Sequence, residues 1–556
     1  MKTIQPTAAG LTPRITPAEW GWVALVTAGV LVVTSVPYAY AYWSTPADRQ
    51  FMGIMVNVPD HAQYFSWLQQ YFTAVLARNL QTPEPNPPVF FNLLWWLLAR
   101  LGSAVGWGYP VLFQVLRVVG TALALPAIYQ ISAWFLAERA QRQLAFSLAV
   151  FAAGLGWILV VLKYGLRLAE VPWPLLLFVV EPNTFFGILG TPHLTSALLY
   201  VVVFDLVLRA EAHGQLRYAV AAGLVALFLG WQHAYDLWLV YGILGGYGLL
   251  KWLRDRRLPL FLLQCGAVLA ALSVWPALYS VWLTTQNSIW REVLKQFANA
   301  GVYTPNPLQL PILMGAGFLL ALAVEVRANP FRLAGRGDRE LFLRAWFWVN
   351  FLLIYLPTDY QIKMLTGWQI PISLLAAQGL TGWIWPRLQT LAARRRVAAP
   401  IARRLLALGV LVAVLPTNLY LWTWRFVDLG RHEYPYYLAT EEVAALAWVA
   451  QNTPAESVIL ASLTIGQYVP ALTGRTAFIA HWAQTVDFYG KSDMLTEFFA
   501  AETTASRRAG ILQDHGVDYV FYGPAEQSLG SFRPAAWPAL QPVYASPRVA
   551  IYQVLP

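Results

Sequence analysis

Cysteine is almost missing from this chain. Among 556 residues only Cys265 occurs, inside an apolar run, so no disulfide braces any exposed part. No Asn-x-Ser/Thr sequon is present, which fits a prokaryotic envelope better than a secretory-pathway membrane. Charge is scarce as well: 12% of residues are charged and 58% hydrophobic, a balance that cannot cover a soluble surface of this size.

What fills the chain instead is a series of apolar runs near 20–43, 110–136, 144–161, 195–208, 217–231, 237–250, 259–283, 311–326, 341–356, 369–385 and 405–424. Each approaches the roughly 20 residues an apolar helix needs to cross a bilayer. The expected fold is a polytopic α-helical membrane protein of about eleven transmembrane helices. With the N-terminus inside, the inner segments carry 21 Lys and Arg and the longer outer segments 8, so the positive-inside rule places the N-terminus in and the C-terminus out. Arg394-Arg395-Arg396 and Arg254-Asp255-Arg256-Arg257 are the firmest inner anchors, read as attraction to anionic membrane lipid. The net charge of +10 divides accordingly. From Arg425 onward 8 basic and 12 acidic residues give −4, leaving +14 on the membrane part, so basicity marks inner loops and calls for no nucleic acid. Ala39-Tyr40-Ala41 looks like a signal-peptidase site, but its apolar run is long enough to be an uncleaved anchor.

Three outer segments are long and rich in aromatics, proline and acids. In 44–109, Pro59 and Asp60 suit the first turn of a helix, and Tyr64, Phe65, Trp67, Leu68, Tyr71 and Phe72 follow at helical spacing. A helix of this kind is expected to lie flat in the membrane interface, as is a second at about 89–101. Between them Thr82-Pro83-Glu84-Pro85-Asn86-Pro87-Pro88 holds Glu84 and Asn86 on a stiff backbone. The next outer segment carries Glu181-Pro182-Asn183-Thr184 and Thr191-Pro192-His193. Short turns carry His233 and Asp236, then Asp359 and Lys363.

The tail, 425–556, reads as a soluble extracytoplasmic α/β domain. Helices are expected at 440–449, 494–499 and 505–514, strands at 457–462, 476–480 and 517–522, and a terminal hairpin about Ser546-Pro547. It has no Gly-rich phosphate loop, nucleophile elbow or metal-spaced Cys/His set, so no chemistry of its own is expected there.

Polar residues near the spans gather at their outer ends: Asp60, His61, Glu84, Glu181, His193, His233, Asp236, Asp359 and Lys363. A pump would more often place acids near mid-membrane. The distribution points to a site at the outer water–lipid boundary. Structural readings stand beside the functional ones: Asp60 as a helix-start acid, Glu84 as a solvated loop acid, Glu181 with His193 as a hydrogen-bonded pair or part of a divalent-metal site, and His233 with Asp236 as a turn clasp.

Asp60-His61-Ala62-Gln63-Tyr64, Thr82-Pro83-Glu84-Pro85, Glu181-Pro182-Asn183-Thr184 and His481-Trp482, on a long first outer loop and a C-terminal outer domain, resemble the GT-C superfamily of membrane glycosyltransferases. That superfamily includes protein O-mannosyltransferases, aminoarabinose transferases and oligosaccharyltransferases. The chain lacks an Asp-x-Asp, a second acid beside Asp60 and a WWD-type motif. The resemblance implies a transmembrane domain over 1–424 including the 44–109 loop, and inverting transfer from a polyprenyl-phosphate-linked sugar to a glycan, lipid or protein acceptor. Asp60 would be the general base, and Lys363, Arg291, Lys295 or Arg100 would meet the departing phosphate. His61, Glu84, Asn86, Glu181, Asn183, His193, His233 and Asp236 are the further candidates for substrate contact, and a divalent cation is a possible cofactor. A transporter or assembly protein for lipid-linked glycans is the alternative; it would need a polar path to the inner face.

The charge asymmetry is tested directly. A cysteine at Ser528 is expected to react with a membrane-impermeant thiol reagent in intact cells and one at Ala392 to stay unlabelled; the reverse pattern contradicts the topology.

Overall fold

A computed structural model describes residues 14–190, 192–300 and 303–555; Thr191 lies outside them. All eleven apolar runs are helical over most of their length. Four helices are long and apolar enough to cross a membrane unaided: Pro17–Ser44, Tyr109–Ser132, His193–His213 and Pro307–Arg327. Three further pairs qualify as bent spans: Arg139–Phe151 with Gly156–Gly165, Leu260–Ser273 with Trp275–Gln286, and Ala399–Val414 with Pro416–Gly430, bent by 40°, 47° and 51°. Pro276 and Pro416 stand just past two of the breaks, where proline removes an amide donor and crowds the preceding turn. By length and composition, then, the described helices supply four spans, or seven with the bent pairs, where sequence periodicity led us to expect about eleven.

The described chain folds as two units. The first comprises 14–36, 116–278 and 303–425 and holds most of the apolar helices. The second gathers 37–115, 279–300 and 426–555, so the first outer loop folds with the tail rather than with the rest of 1–424.

Within the second unit, helix Val58–Tyr71 is largely covered by protein. Ten of its fourteen residues are buried, polar Gln63 and Ser66 among them. It packs against Tyr468–Thr473 of the tail and against Leu93–Val105, where Tyr64 stacks on Trp95 with centroids 5.1 Å apart. Aromatic residues on two of its faces bury equally well in lipid or in protein, and protein covers them here.

Among the described residues the strands are β1 (Arg49–Phe51), β2 (Tyr437–Ala439), β3 (Val458–Leu460), β4 (Thr476–Ala477), β5 (Tyr519–Tyr522), β6 (Leu540–Ala545) and β7 (Ala550–Val554). β1 pairs antiparallel with β2, joining loop to tail. The others form a mixed sheet ordered β4-β3-β5-β7-β6, parallel across β4-β3-β5 and antiparallel at the β6-β7 hairpin. Parallel neighbours need crossovers, supplied by Leu463–Gly466 with Tyr468–Thr473 and by Phe488–Phe499 with Ala505–Asp514. Leu460, Phe478, Phe498, Phe499 and Val520 are the centre of its core.

The first crossover fixes the path toward His481. A Cβ on Gly466 would stand 2.0 Å from the Ile479 carbonyl oxygen, so only glycine lets the helix lie beneath that segment. Gly510, inside Ala505–Asp514, has no atom within 4 Å of its would-be Cβ. Gly466→Ala is expected to destabilise the protein by about 1–3 kcal/mol through overpacking, and Gly510→Ala to stabilise it by about 0.5–1 kcal/mol. Thermal unfolding of the purified variants reads both; equal midpoints would contradict the packing described. One practical correction follows for the labelling test. Ala392 is 8% exposed, so Leu391, at 51%, is the informative inner position.

Candidate functional site

Two polar clusters form, one in each unit. In the second unit, the segment from Asn79 to Asn86 lies along the tail loop that follows β4. Ala477 N donates to the Leu80 carbonyl at 2.9 Å, Asn79 Nδ2 to the Gln484 carbonyl at 2.8 Å, and Thr485 Oγ1 to the Gln81 carbonyl at 2.6 Å. Val486 N donates to Thr82 Oγ1 at 3.0 Å. Gln296, from the 279–300 segment, braces the same loop by donating to the Ala483 and Thr485 carbonyls at 3.1 and 2.8 Å.

This lattice brings together two polar pairs whose partners are far apart in sequence. His481 Nε2 lies 3.1 Å from Asp60 Oδ1; the histidine side chain is 2% exposed and the aspartate 21%. Asp60 sits in the first turn of Val58–Tyr71, where the helix dipole favours negative charge. Lys491, its side chain 1% exposed, donates to Glu84 and to the Val486 carbonyl, while Thr82 donates to the other Glu84 oxygen. Deeper in the tail, His515 stands edge-on to Phe478 at 5.1 Å; burial first and the Lys491 ammonium second hold its imidazole below the ordinary range.

In the first unit, Lys363 Nζ donates to Glu181 Oε1 at 2.6 Å, with side chains 18% and 7% exposed. This carboxylate is a partner 182 positions away in sequence. His193 Nε2 is 3.9 Å from the same oxygen, too far for a hydrogen bond. His233 Nδ1 lies 2.9 Å from Ser196 Oγ and 3.5 Å from Asp236 Oδ2, and the His193 and His233 rings are 5.5 Å apart. Gln232 donates to Thr195 and Ser196 at 2.7 and 3.0 Å.

Other candidates serve the scaffold. His61 is fully buried, its Nδ1 2.9 Å from the Asn57 carbonyl and its ring 4.9 Å from Phe113. Asn86 clasps Asn79 through both ends of its amide. Asn183 caps Thr184–Ile188 and donates to Asn418 at 2.7 Å. Of the remaining cations, Arg291 donates to the Thr285 carbonyl, Lys295 to Glu292 at 2.7 Å and Arg100 to the Ala74 carbonyl at 2.6 Å. Nothing in the sequence marks Lys491 or Ser196, and His481 stands out there only within a motif.

A family model of unknown function (DUF6541) matches residues 367–552. No curated protein matches by sequence. Solved structures do match by fold. The oligosaccharyltransferase AglB of Archaeoglobus fulgidus, in complex with an inhibitory peptide and a dolichol-phosphate, aligns at a TM-score of 0.56 and 11% identity, over 91% of this chain and 70% of that one. ArnT from Cupriavidus metallidurans, bound to undecaprenyl phosphate, aligns at 0.51 and 14% identity over 96% and 98%. The fold is shared with these two proteins.

An Archaeoglobus fulgidus oligosaccharyltransferase in complex with zinc and sulfate also aligns, at 13% identity and a TM-score of 0.53, over 89% of this chain and 68% of that one. Among the described residues here, no three His, Cys, Asp or Glu side chains form a metal-holding group. Asp60, Glu84 and Glu181 each face a nitrogen instead, of His481, Lys491 and Lys363. As paired here, these carboxylates are not assembled into a cation-holding set among the described residues.

Lys363→Met removes the charge beside a carboxylate with little access to water. It is expected to cost on the order of 3 kcal/mol of stability, as for one partner lost from a buried pair. Lys363→Met with Glu181→Gln should cost less than the sum of the single changes, a coupling read by thermal unfolding. Strict additivity would show that Lys363 answers to another partner.

Proposed function

We propose that the chain moves a sugar from a polyprenyl-phosphate-linked donor to an acceptor at the outer membrane face, inverting the anomeric carbon, with Asp60 as general base. The observation that carries this reading is the Asp60–His481 pair, in which the carboxylate is partly open while its partner is buried. Asp60 takes the proton of an acceptor hydroxyl as the oxygen attacks C1. The bond from C1 to the phosphate oxygen breaks on the opposite side, and its electron pair leaves with the phosphate. Lipid-carrier compounds in the AglB and ArnT complexes are of the class this donor would belong to.

The topology belongs to the same proposal: about eleven spans, N-terminus inside, tail and Asp60 outside, in a prokaryotic cytoplasmic membrane. An outer site needs no nucleotide-binding fold, since the lipid carries the activated sugar to it.

Removing the gene should make a lipid-linked sugar accumulate, read by mass spectrometry of lipid extracts. Asp60→Asn retains size and helix-start chemistry. It is expected to lower transfer by about 10²–10⁴ while the unfolding temperature stays within error. An Asn variant as fast as the parent would make Asp60 a structural residue.

A further inference from the structure

The hydrogen bonds around His481 fix which of its nitrogens carries the proton. Nδ1 accepts the backbone N–H of Ala483 at 3.0 Å and that of Gln484 at 3.3 Å. Two donors aimed at one ring nitrogen require its lone pair, so the proton of the neutral ring sits on Nε2, the atom 3.1 Å from Asp60 Oδ1. The loop supplying those amides is itself anchored. Ala480 N and His481 N both donate to Thr485 Oγ1, at 3.0 and 3.1 Å, and Asn299 Nδ2 donates to the Trp482 carbonyl at 2.9 Å.

We propose that His481 is a positioning residue: through Nε2–H, in a tautomer set by the Ala483 and Gln484 amides, it orients the Asp60 carboxylate and favours its ionised form. This rests on Asp60 being the base. The geometry reverses the usual aspartate–histidine arrangement, in which a carboxylate orients an imidazole that takes the proton. Here the ring's other nitrogen, Nδ1, has its lone pair committed to the Ala483 and Gln484 amides, so the imidazole has no free base nitrogen and the acceptor's proton ends on Asp60. The soluble tail thereby contributes to the chemistry without touching the reacting atoms.

The tautomer is read without any activity assay, by solid-state NMR of the full chain in lipid bilayers with histidine ring nitrogens labelled. The His481 signals are identified by their loss in His481→Gln. The expected spectrum has a protonated Nε2 and a bare Nδ1, with the Nε2 signal moving in Asp60→Ala; a protonated Nδ1, or an Nε2 indifferent to Asp60→Ala, overturns the proposal. Transfer against pH is the second readout. Losing a hydrogen bond to a charged group in His481→Ala should move the acid limb up by about one to two pH units. His481→Gln, whose amide can donate near the Nε2 position, should bring it back. A uniform loss of rate in both variants with an unmoved limb would make His481 merely structural. Should Asp60→Asn transfer normally while the NMR result holds, the base assignment fails and the geometry of the pair stands.

Discussion

The seam of hydrogen bonds between residues 79–86 and the tail loop 477–486 is the constraint on which the proposed site depends. A proline-rich strip has few amide donors to form a sheet of its own, and this one borrows partners instead: Asn79, Gln81 and Thr82 bond Gln484, Thr485 and Val486. Each bond is modest, on the order of 1 kcal/mol. Their joint effect is geometric, because they set Asp60 against His481 and Glu84 against Lys491 with little backbone freedom. Gly466 beneath Ile479, and Gln296 against the Ala483 and Thr485 carbonyls, hold the same loop from other sides.

A second regularity is that three of the acids expected to be functional are matched to nitrogen donors of the chain. A carboxylate near lipid is costly unless a charge or several donors meet it. His481, Lys491 and Lys363 meet that need for Asp60, Glu84 and Glu181. The pairs differ in access. Lys363 and Glu181 are both largely covered, the pattern of a structural pair, whereas Asp60 and Glu84 keep 21% and 30% of their side chains open beside buried partners. A partly open base beside a buried orienting group can receive a proton without losing its alignment.

Much of this was legible in the sequence. Lipid imposes long apolar runs, and every run so identified is helical; the tail's hairpin and its strand at Tyr519–Tyr522 fall where alternation and turn residues put them. Asp60 announced itself as an acid at a helix start. The partners did not, because they lie 421 and 407 positions away and nothing local marks His481 or Lys491 as facing the first loop. The protein partners of helix Val58–Tyr71 are not local either: an aromatic face looks the same to periodicity whether lipid or Trp95 and Phe113 cover it. The bends at Ser273–Trp275 and Val414–Pro416 likewise make one apolar run into two helices without changing its composition.

The account stands or falls on the first loop and the tail forming one unit, and a zero-length crosslink tests this most directly. Carbodiimide treatment of the full-length protein in native membranes activates the partly exposed Glu84, and Lys491 is within reach to attack it. Mass spectrometry should find an isopeptide bond joining the peptides that contain these two residues, absent in Glu84→Gln. If the local Glu292–Lys295 pair crosslinks under the same conditions and Glu84–Lys491 does not, the loop and the tail are not joined as described and Asp60 has no buried histidine beside it.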